Sequence, residues 1–136
     1  MLTIVAVHPE VYEGPAYKVV HCRGAPESLE RALLGVEARK RQKMKFALAL
    51  QIERLANGQS MSNENFPEEG DLPFSQLTGR RAKFRALKRL PVRGYCWLSG
   101  KHQNTWFISH YIKKDFNKLH ESDTQRVHHN WRALEE

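Results

Sequence analysis

The chain has 136 residues, which predicts a single domain with one hydrophobic core. A formal net charge of +7 and a pI near 9.6 favour a polyanionic partner, either nucleic acid or an acidic protein, over a membrane surface. The two cysteines belong to no CxxC pattern, and no apolar run is long enough for a signal peptide or a membrane span. These features argue against a disulfide scaffold, a zinc knuckle and a membrane protein, and they predict a cytoplasmic location.

Two short strands are predicted ahead of the first helix. Leu2 to Val7 is apolar and β-branched, and Tyr17 to Cys22 repeats that composition after a Gly-Pro turn. Pro9 lies between them and removes a backbone donor from any ladder. A hairpin and a single interrupted edge strand both fit this region.

A helical pattern follows from Pro26, with apolar residues at three- and four-residue steps up to Leu55. Asn57-Gly58 supplies a left-handed stop. Roughly 30 residues of helix would span about 45 Å, which is long for so small a domain. A break near Gly35, or near the basic cluster at 39–41, would give a helical hairpin. That cluster is most simply a solvated helix face, with a nucleic-acid contact as the alternative.

Basic residues concentrate in the second half of the chain, after a polar and acidic stretch at 59–71 that is predicted to be a loop. The segment from Arg80 to Leu119 holds half of the 22 Lys and Arg residues and one acid, Asp115. Its alternating pattern predicts three consecutive strands. These are Lys83 to Leu90, Arg93 to Leu98 and Thr105 to Lys113.

Strict alternation along the third strand would divide its side chains between the two faces of a sheet. One set is Trp106, Ile108, His110 and Ile112, and the other is Phe107, Ser109, Tyr111 and Lys113. Basic and aromatic side chains on one sheet face could grip a phosphate backbone and stack on bases. Packing in the core is the alternative role of the aromatic residues.

The chain is predicted to close with a helix. Ser122 and Gln125 form a capping-box pattern, and Val127, Trp131 and Leu134 make an apolar stripe. The whole chain, residues 1–136, is therefore predicted to be one α+β domain. An antiparallel sheet would carry an N-terminal helix or helical hairpin and a short C-terminal helix packed on it.

The composition of the basic segment also fits cleavage of RNA without a metal. Such cleavage needs a base for the ribose 2′-hydroxyl, cations for the charged phosphate and a proton for the leaving oxygen. Arg and Lys can supply the cations, and His, Tyr or a Lys with a shifted pKa can supply the proton transfers. The seven histidines form no HxH, HExxH or Cys/His ligand pair, so neither a metal nor a cofactor is expected.

Three motifs carry a family resemblance. Leu77-Thr78-Gly79 precedes a basic strand, VRGYCW begins at Val92, and ISHYIKKD ends the third strand at Asp115. From about Leu77 to Leu134, with the preceding helices in matching order, the chain resembles the RelE/HigB/ParE superfamily of bacterial type II toxin–antitoxin toxins. The resemblance implies a RelE-like fold.

The resemblance also implies roles for individual residues. Arg93 matches the arginine at the start of a strand that stabilises the phosphate. Lys83 and Arg85 match a basic pair on the preceding strand, and Lys113 and Lys114 match the pair that ends the last strand. The candidates for the general acid and base are Tyr111, His110 and the His128-His129 pair. Further RNA-binding residues are expected among the remaining cations of the segment, namely Arg80, Arg81, Lys88, Arg89 and Lys118.

The function that this resemblance implies is a ribosome-dependent, metal-independent mRNA endoribonuclease that inhibits translation. Its partners would be mRNA, the ribosome and a cognate antitoxin protein. The ParE branch of the same fold inhibits DNA gyrase and cuts nothing, so a non-catalytic gyrase inhibitor is an alternative. A non-catalytic RNA-binding module is another.

Overall fold

The computed structural model describes residues 10–114 and 119–136. The predicted strand Leu2 to Val7 and the predicted RNA-binding residue Lys118 lie outside these residues. Six strands and three helices follow one another along the described chain. They are β1 (Val11–Glu13), β2 (Lys18–His21), α1 (Ala25–Leu34), α2 (Ala38–Ala56), β3 (Glu68–Asp71), β4 (Lys83–Arg89), β5 (Val92–Leu98), β6 (Thr105–Lys113) and α3 (Glu121–Glu135).

The strands form one mixed sheet in the order β1-β2-β6-β5-β4-β3. β3 to β6 are a continuous antiparallel meander, and β1 pairs antiparallel with β2. β2 and β6 pair in parallel, so the expectation of a wholly antiparallel sheet is corrected. A parallel pair needs a long crossover connection. The chain between β2 and β6, which contains α1, α2 and the strands β3 to β5, supplies it. The α+β class is confirmed.

Helices cover both faces of the sheet. On one face α1 and α2 pack through Leu29, Leu33, Leu48 and Ile52 against the central strands. On the other face Val127, Trp131 and partly buried Leu134 of α3 pack against the aromatic side chains of β4, β5 and β6. The central strands are therefore buried on both sides, which the sequence pattern alone did not predict.

The predicted break in the long helical pattern is confirmed, because α1 ends at Leu34 and α2 begins at Ala38. Arg41, from the predicted basic cluster, holds the break. Its Nε donates to the carbonyl oxygens of Leu33 and Val36, at 2.7 and 2.9 Å. One carbonyl in the last turn of α1 and one in the connection to α2 thereby gain a donor.

Two expectations about shorter segments are wrong. The stretch 59–71 is not all loop, because its end forms β3 and pairs with β4. Within it, Phe66 packs on Trp106, at 5.3 Å between ring centroids. The capping box at Ser122 is also wrong, since α3 begins after His120 and has no side-chain cap.

A β-bulge at Ser109 interrupts the predicted alternation along β6. Tyr95 of β5 lies opposite His110, whereas the next residue, Cys96, lies opposite Ile108, which leaves Ser109 as the extra residue. Side chains beyond the bulge change faces. His110 therefore points towards α3, where it hydrogen-bonds Asp123, and Tyr111 packs with the α1 and α2 residues.

None of the helices within the described residues is long and apolar enough to cross a membrane.

Two leucines of α2 provide a test of this packing. Leu48 is fully buried, whereas Leu50 is 46% exposed. Leu48→Ala should lower the free energy of unfolding by about 2 to 5 kcal/mol, because it leaves a cavity. Leu50→Ala, with the same chemical change on the solvent side, should alter it by about 0.5 kcal/mol or less. Urea unfolding of both variants makes the comparison, and equal losses would contradict the placement of α2.

Candidate functional site

The predicted catalytic residues lie on two different faces of the sheet, because of the bulge at Ser109, and helices cover both faces. Arg93, His110 and Lys114 lie on the α3 face, and all three are at least 96% buried. Tyr111 lies on the opposite face, under α1. The predicted residues therefore do not form one open surface on the sheet.

Arg93 is held by a buried ion pair. Its Nη1 donates to Oε1 of Glu69 at 3.2 Å, and both side chains are largely excluded from water. β3 supplies Glu69 to this pair, and the residue was missed in the sequence because it belonged to the predicted loop. A buried guanidinium requires such a partner, because desolvation of an unpaired charge costs several kcal/mol.

Lys114 lies beside Arg93 at the end of β6. Its Nζ donates to the Tyr95 hydroxyl at 3.4 Å, and its backbone N–H donates to the carbonyl of Pro91. Burial and the nearby charge of Arg93 lower the pKa of Lys114. An amine in this environment releases its proton more readily than a surface lysine, as a general base or acid requires. We call Arg93, Glu69, Tyr95 and Lys114 the Arg93 cluster.

His110 takes part in a buried hydrogen-bond network next to this cluster. Its Nε2 lies 3.0 Å from Oδ1 of Asp123, and its Nδ1 lies 2.8 Å from the Ser109 hydroxyl. Burial is the main reason that the pKa of His110 is lowered. The neutral ring donates from Nε2 to the carboxylate, so Nδ1 accepts from Ser109. Asn130 donates to the same hydroxyl at 2.9 Å.

The Ser109, His110 and Asp123 contacts have the composition of a nucleophilic triad, but not its accessibility. Ser109 and His110 are fully buried, and Asp123 is 8% exposed. A substrate atom therefore has no approach to the serine oxygen in this conformation. The contacts are those of a satisfied polar network that fixes the bulge and the position of α3 on the sheet.

Tyr111 has a similar structural environment on the other face. Its hydroxyl lies 2.7 Å from Nε2 of His21, and its backbone N–H donates to the Ser28 hydroxyl. Burial raises the pKa of Tyr111 well above its ordinary value, so the phenol remains protonated. The other candidates, His128 and His129, belong to α3. Nε2 of His128 lies 2.7 Å from the carbonyl oxygen of Asp71, away from the Tyr111 hydroxyl.

The remaining predicted cations lie near the surface. Lys83 and Arg85 form ion pairs with Asp71 and Glu68 of the neighbouring strand β3. Arg80, in the loop before β4, is exposed, as are three other predicted cations. Those three are Arg81, Arg89 and Lys113. Lys88 is half-buried and, with Arg89, lines a cavity of about 610 Å³ that also includes Lys40 and Lys43 of α2.

Several residues of these sites were not identified from the sequence. Glu69 and Asp123 each pair with a residue distant along the chain, and no spacing rule connects them. Ser109 contacts His110 at the bulge, which the sequence does not predict. Tyr95 cannot be told from the other aromatic residues of the strands by its position in the sequence. Within residues 10–114 and 119–136, no group of three or more His, Cys, Asp or Glu side chains could hold a metal ion.

Comparisons of the chain with models of protein families, with curated proteins and with solved structures gave no significant match.

The lowered pKa of His110 predicts a pH dependence of stability. Below the unfolded value of about 6.5, the unfolded chain binds more protons at this position than the folded chain. The free energy of unfolding should therefore fall as the pH drops below about 6.5, by at most about 1.4 kcal/mol per pH unit. His110→Gln removes the titration and retains an N–H donor for Asp123, so its profile should be flatter.

Urea unfolding at pH 7.5 and 5.5 measures this difference. The matched control is His129→Gln, an exposed histidine on α3, which should keep the slope of the wild-type chain. An unchanged slope in His110→Gln would contradict the placement of this ring.

Proposed function

We propose that this chain is a toxin of the RelE/HigB type, a metal-independent endoribonuclease that cuts mRNA on the ribosome and is neutralised by a cognate antitoxin protein. The motifs from about Leu77 to Leu134 motivate the class. The observation that carries the chemistry is the adjacency of Arg93 and Lys114, a buried arginine beside an amine with a lowered pKa.

The two residues have complementary chemical roles in the proposed reaction. Arg93 supplies a fixed charge for the phosphate as it gains negative charge, because a guanidinium remains protonated and presents paired donors. Lys114 takes the proton of the ribose 2′-hydroxyl as that oxygen attacks the phosphorus, and it returns the proton to the leaving 5′-oxygen, since its environment favours the neutral amine more than water does. Glu69 holds the guanidinium in position, and Tyr95 does the same for the amine through its hydroxyl. Tyr111 is not part of this reaction, because it lies on the other face.

A non-catalytic RNA-binding protein is the second candidate, and one observation favours it. His110 and Tyr111 are at least 98% buried, and Arg93 and Lys114 are at least 96% buried. None of the four is open to a ribose or a phosphate in this conformation, so cleavage by Arg93 and Lys114 requires a movement that exposes them. A binding module needs only the exposed cations, which include Arg80, Arg81 and Arg89.

Lys114→Met separates the two candidates, because it removes the amine and keeps most of the aliphatic chain. The variant and the wild-type chain are expressed from an inducible promoter, and new mRNA 5′ ends are mapped by primer extension. Wild type should generate new ends and stop translation, and Lys114→Met should lower the cleavage rate by about 10²- to 10⁴-fold. Lys113→Met, at the exposed neighbouring position, should cleave like wild type.

Arg93→Ala should also abolish cleavage, but it leaves Glu69 buried without its cation and should destabilise the fold. Its thermal unfolding therefore has to be recorded together with its activity. Growth arrest by the wild-type chain without new mRNA ends would contradict the nuclease proposal. If DNA breaks accumulated in the same cells, a gyrase-inhibiting toxin would replace it.

A further inference from the structure

A group of exposed cations lies at the end of the sheet remote from the Arg93 cluster. Arg80, Arg81, Lys83 and Arg85 line one side of a cavity of about 450 Å³. In the described part of the chain, no carboxylate forms an ion pair with Arg80 or Arg81. Lys83 and Arg85 do have acidic partners, but the partner carboxylates are more than half exposed. Such pairs contribute little stability and can exchange for another anion.

A smaller cavity of about 290 Å³ adjoins this one and shares Arg85 and Trp106 with it. Its aromatic lining consists of Tyr17, Phe66 and Trp106. The Trp106 ring lies edge-on to both others, with centroids 6.2 Å from Tyr17 and 5.3 Å from Phe66. The Arg85 guanidinium lies 5.2 Å from the centre of the Phe66 ring. Aromatic faces and a cation are thus combined in one small space.

Trp106 has a polar atom that its surroundings do not satisfy. Its Nε1 is buried and has no hydrogen-bond partner among the described residues. A buried N–H without an acceptor is costly, and protein interiors rarely retain one. The residue is 91% buried and lines both cavities. An acceptor oxygen or nitrogen of a ligand would satisfy the indole once the side chains over Nε1 move, because the atom itself has no exposed surface.

We propose that the two cavities form one binding site for single-stranded RNA, which we call the Trp106 site. A base occupies the aromatic cavity, and the phosphates beside it contact Arg80 and Arg81. Stacking on aromatic side chains, combined with a cationic path for the backbone, is how sequence-tolerant single-strand sites are built. The keto and ring-nitrogen acceptors of a base match the free indole N–H.

The Trp106 site is separate from the proposed cleavage residues. Trp106 pairs with Leu98, whereas Ile112, six residues further along β6, pairs with Arg93. Because one of these six is the bulged Ser109, the separation corresponds to five residues of strand, or about 17 Å. The site therefore positions a strand of RNA and does not take part in bond breaking. The choice of RNA over DNA rests on the proposed function, since stacking and phosphate contacts are common to both polymers.

Binding can be measured on the free protein with an eight-nucleotide single-stranded RNA that carries one 2-aminopurine and a 3′ dye. Anisotropy gives the affinity, and quenching of 2-aminopurine reports stacking. Tyr17→Leu should weaken binding by about 5- to 150-fold and reduce the quenching at saturation. Trp106→Phe keeps a ring and removes the N–H, so it should weaken binding while some quenching persists. Circular dichroism and thermal unfolding confirm that each variant is folded.

The phosphate contacts are tested by the salt dependence of the affinity. Arg80→Gln with Arg81→Gln should reduce the slope of log K against log salt by about 1.4. Lys40→Gln with Lys43→Gln removes the same charge from the cavity beside α2 and should leave the slope almost unchanged. An equal reduction by both pairs, or quenching in Tyr17→Leu equal to that of wild type, would overturn the Trp106 site.

Two further results separate this inference from the proposed function. Lys114→Met should keep the quenching of 2-aminopurine at saturation, because its amine lies at the other end of the sheet. If cells show no new mRNA ends but the binding variants behave as expected, the nuclease proposal fails and the Trp106 site stands. A DNA of the same sequence should also bind and be quenched, because stacking and phosphate contacts are common to both polymers; a DNA that bound without quenching would overturn the Trp106 site.

Discussion

Burial of the sheet on both faces is the constraint on which the other features depend. With α1 and α2 on one side and α3 on the other, the central strands have no open face for a polymer. Charged side chains on these strands must either pair inside the protein or lie towards the ends and edges. Arg93 pairs with Glu69, and the neutral ring of His110 joins a hydrogen-bond network with Asp123. Arg80 and Arg81 remain in water.

Because of this burial, arginine residues that are alike in the sequence have different roles in the structure. Arg41 caps α1, Arg85 contacts an aromatic ring, and Arg93 is buried beside Lys114. Their surroundings, and not their residue type, decide which of them can meet a phosphate. The proposed division follows from these positions. In the proposal, cleavage belongs to the Arg93 cluster, whose buried Arg93 and Lys114 must first become exposed, and the contact with the RNA strand belongs to the Trp106 site.

Much of the fold was predictable because its central elements have strong patterns. β4, β5 and β6 begin and end within one residue of their predicted limits, and the helical break near Gly35 is confirmed. β1 and β3 have only three and four residues, and pairing with a neighbour defines them rather than an apolar pattern of their own. The bulge at Ser109 was not predictable, because a two-residue period contains no sign of an inserted residue. That one residue exchanged the faces of His110 and Tyr111, so the predicted acid and base candidates could not be placed correctly.

The claim that RNA meets the Trp106 end of the sheet, and not its faces, can be tested most directly by nuclear magnetic resonance. The indole N–H of Trp106 is one of three such signals in the chain, and Trp106→Phe assigns it. On titration with a short single-stranded RNA, this signal should move downfield as the N–H gains an acceptor, together with the amides of Arg80 and Arg81. An indole signal that stays fixed while the largest shifts occur at Lys40 and Lys43 would contradict the account.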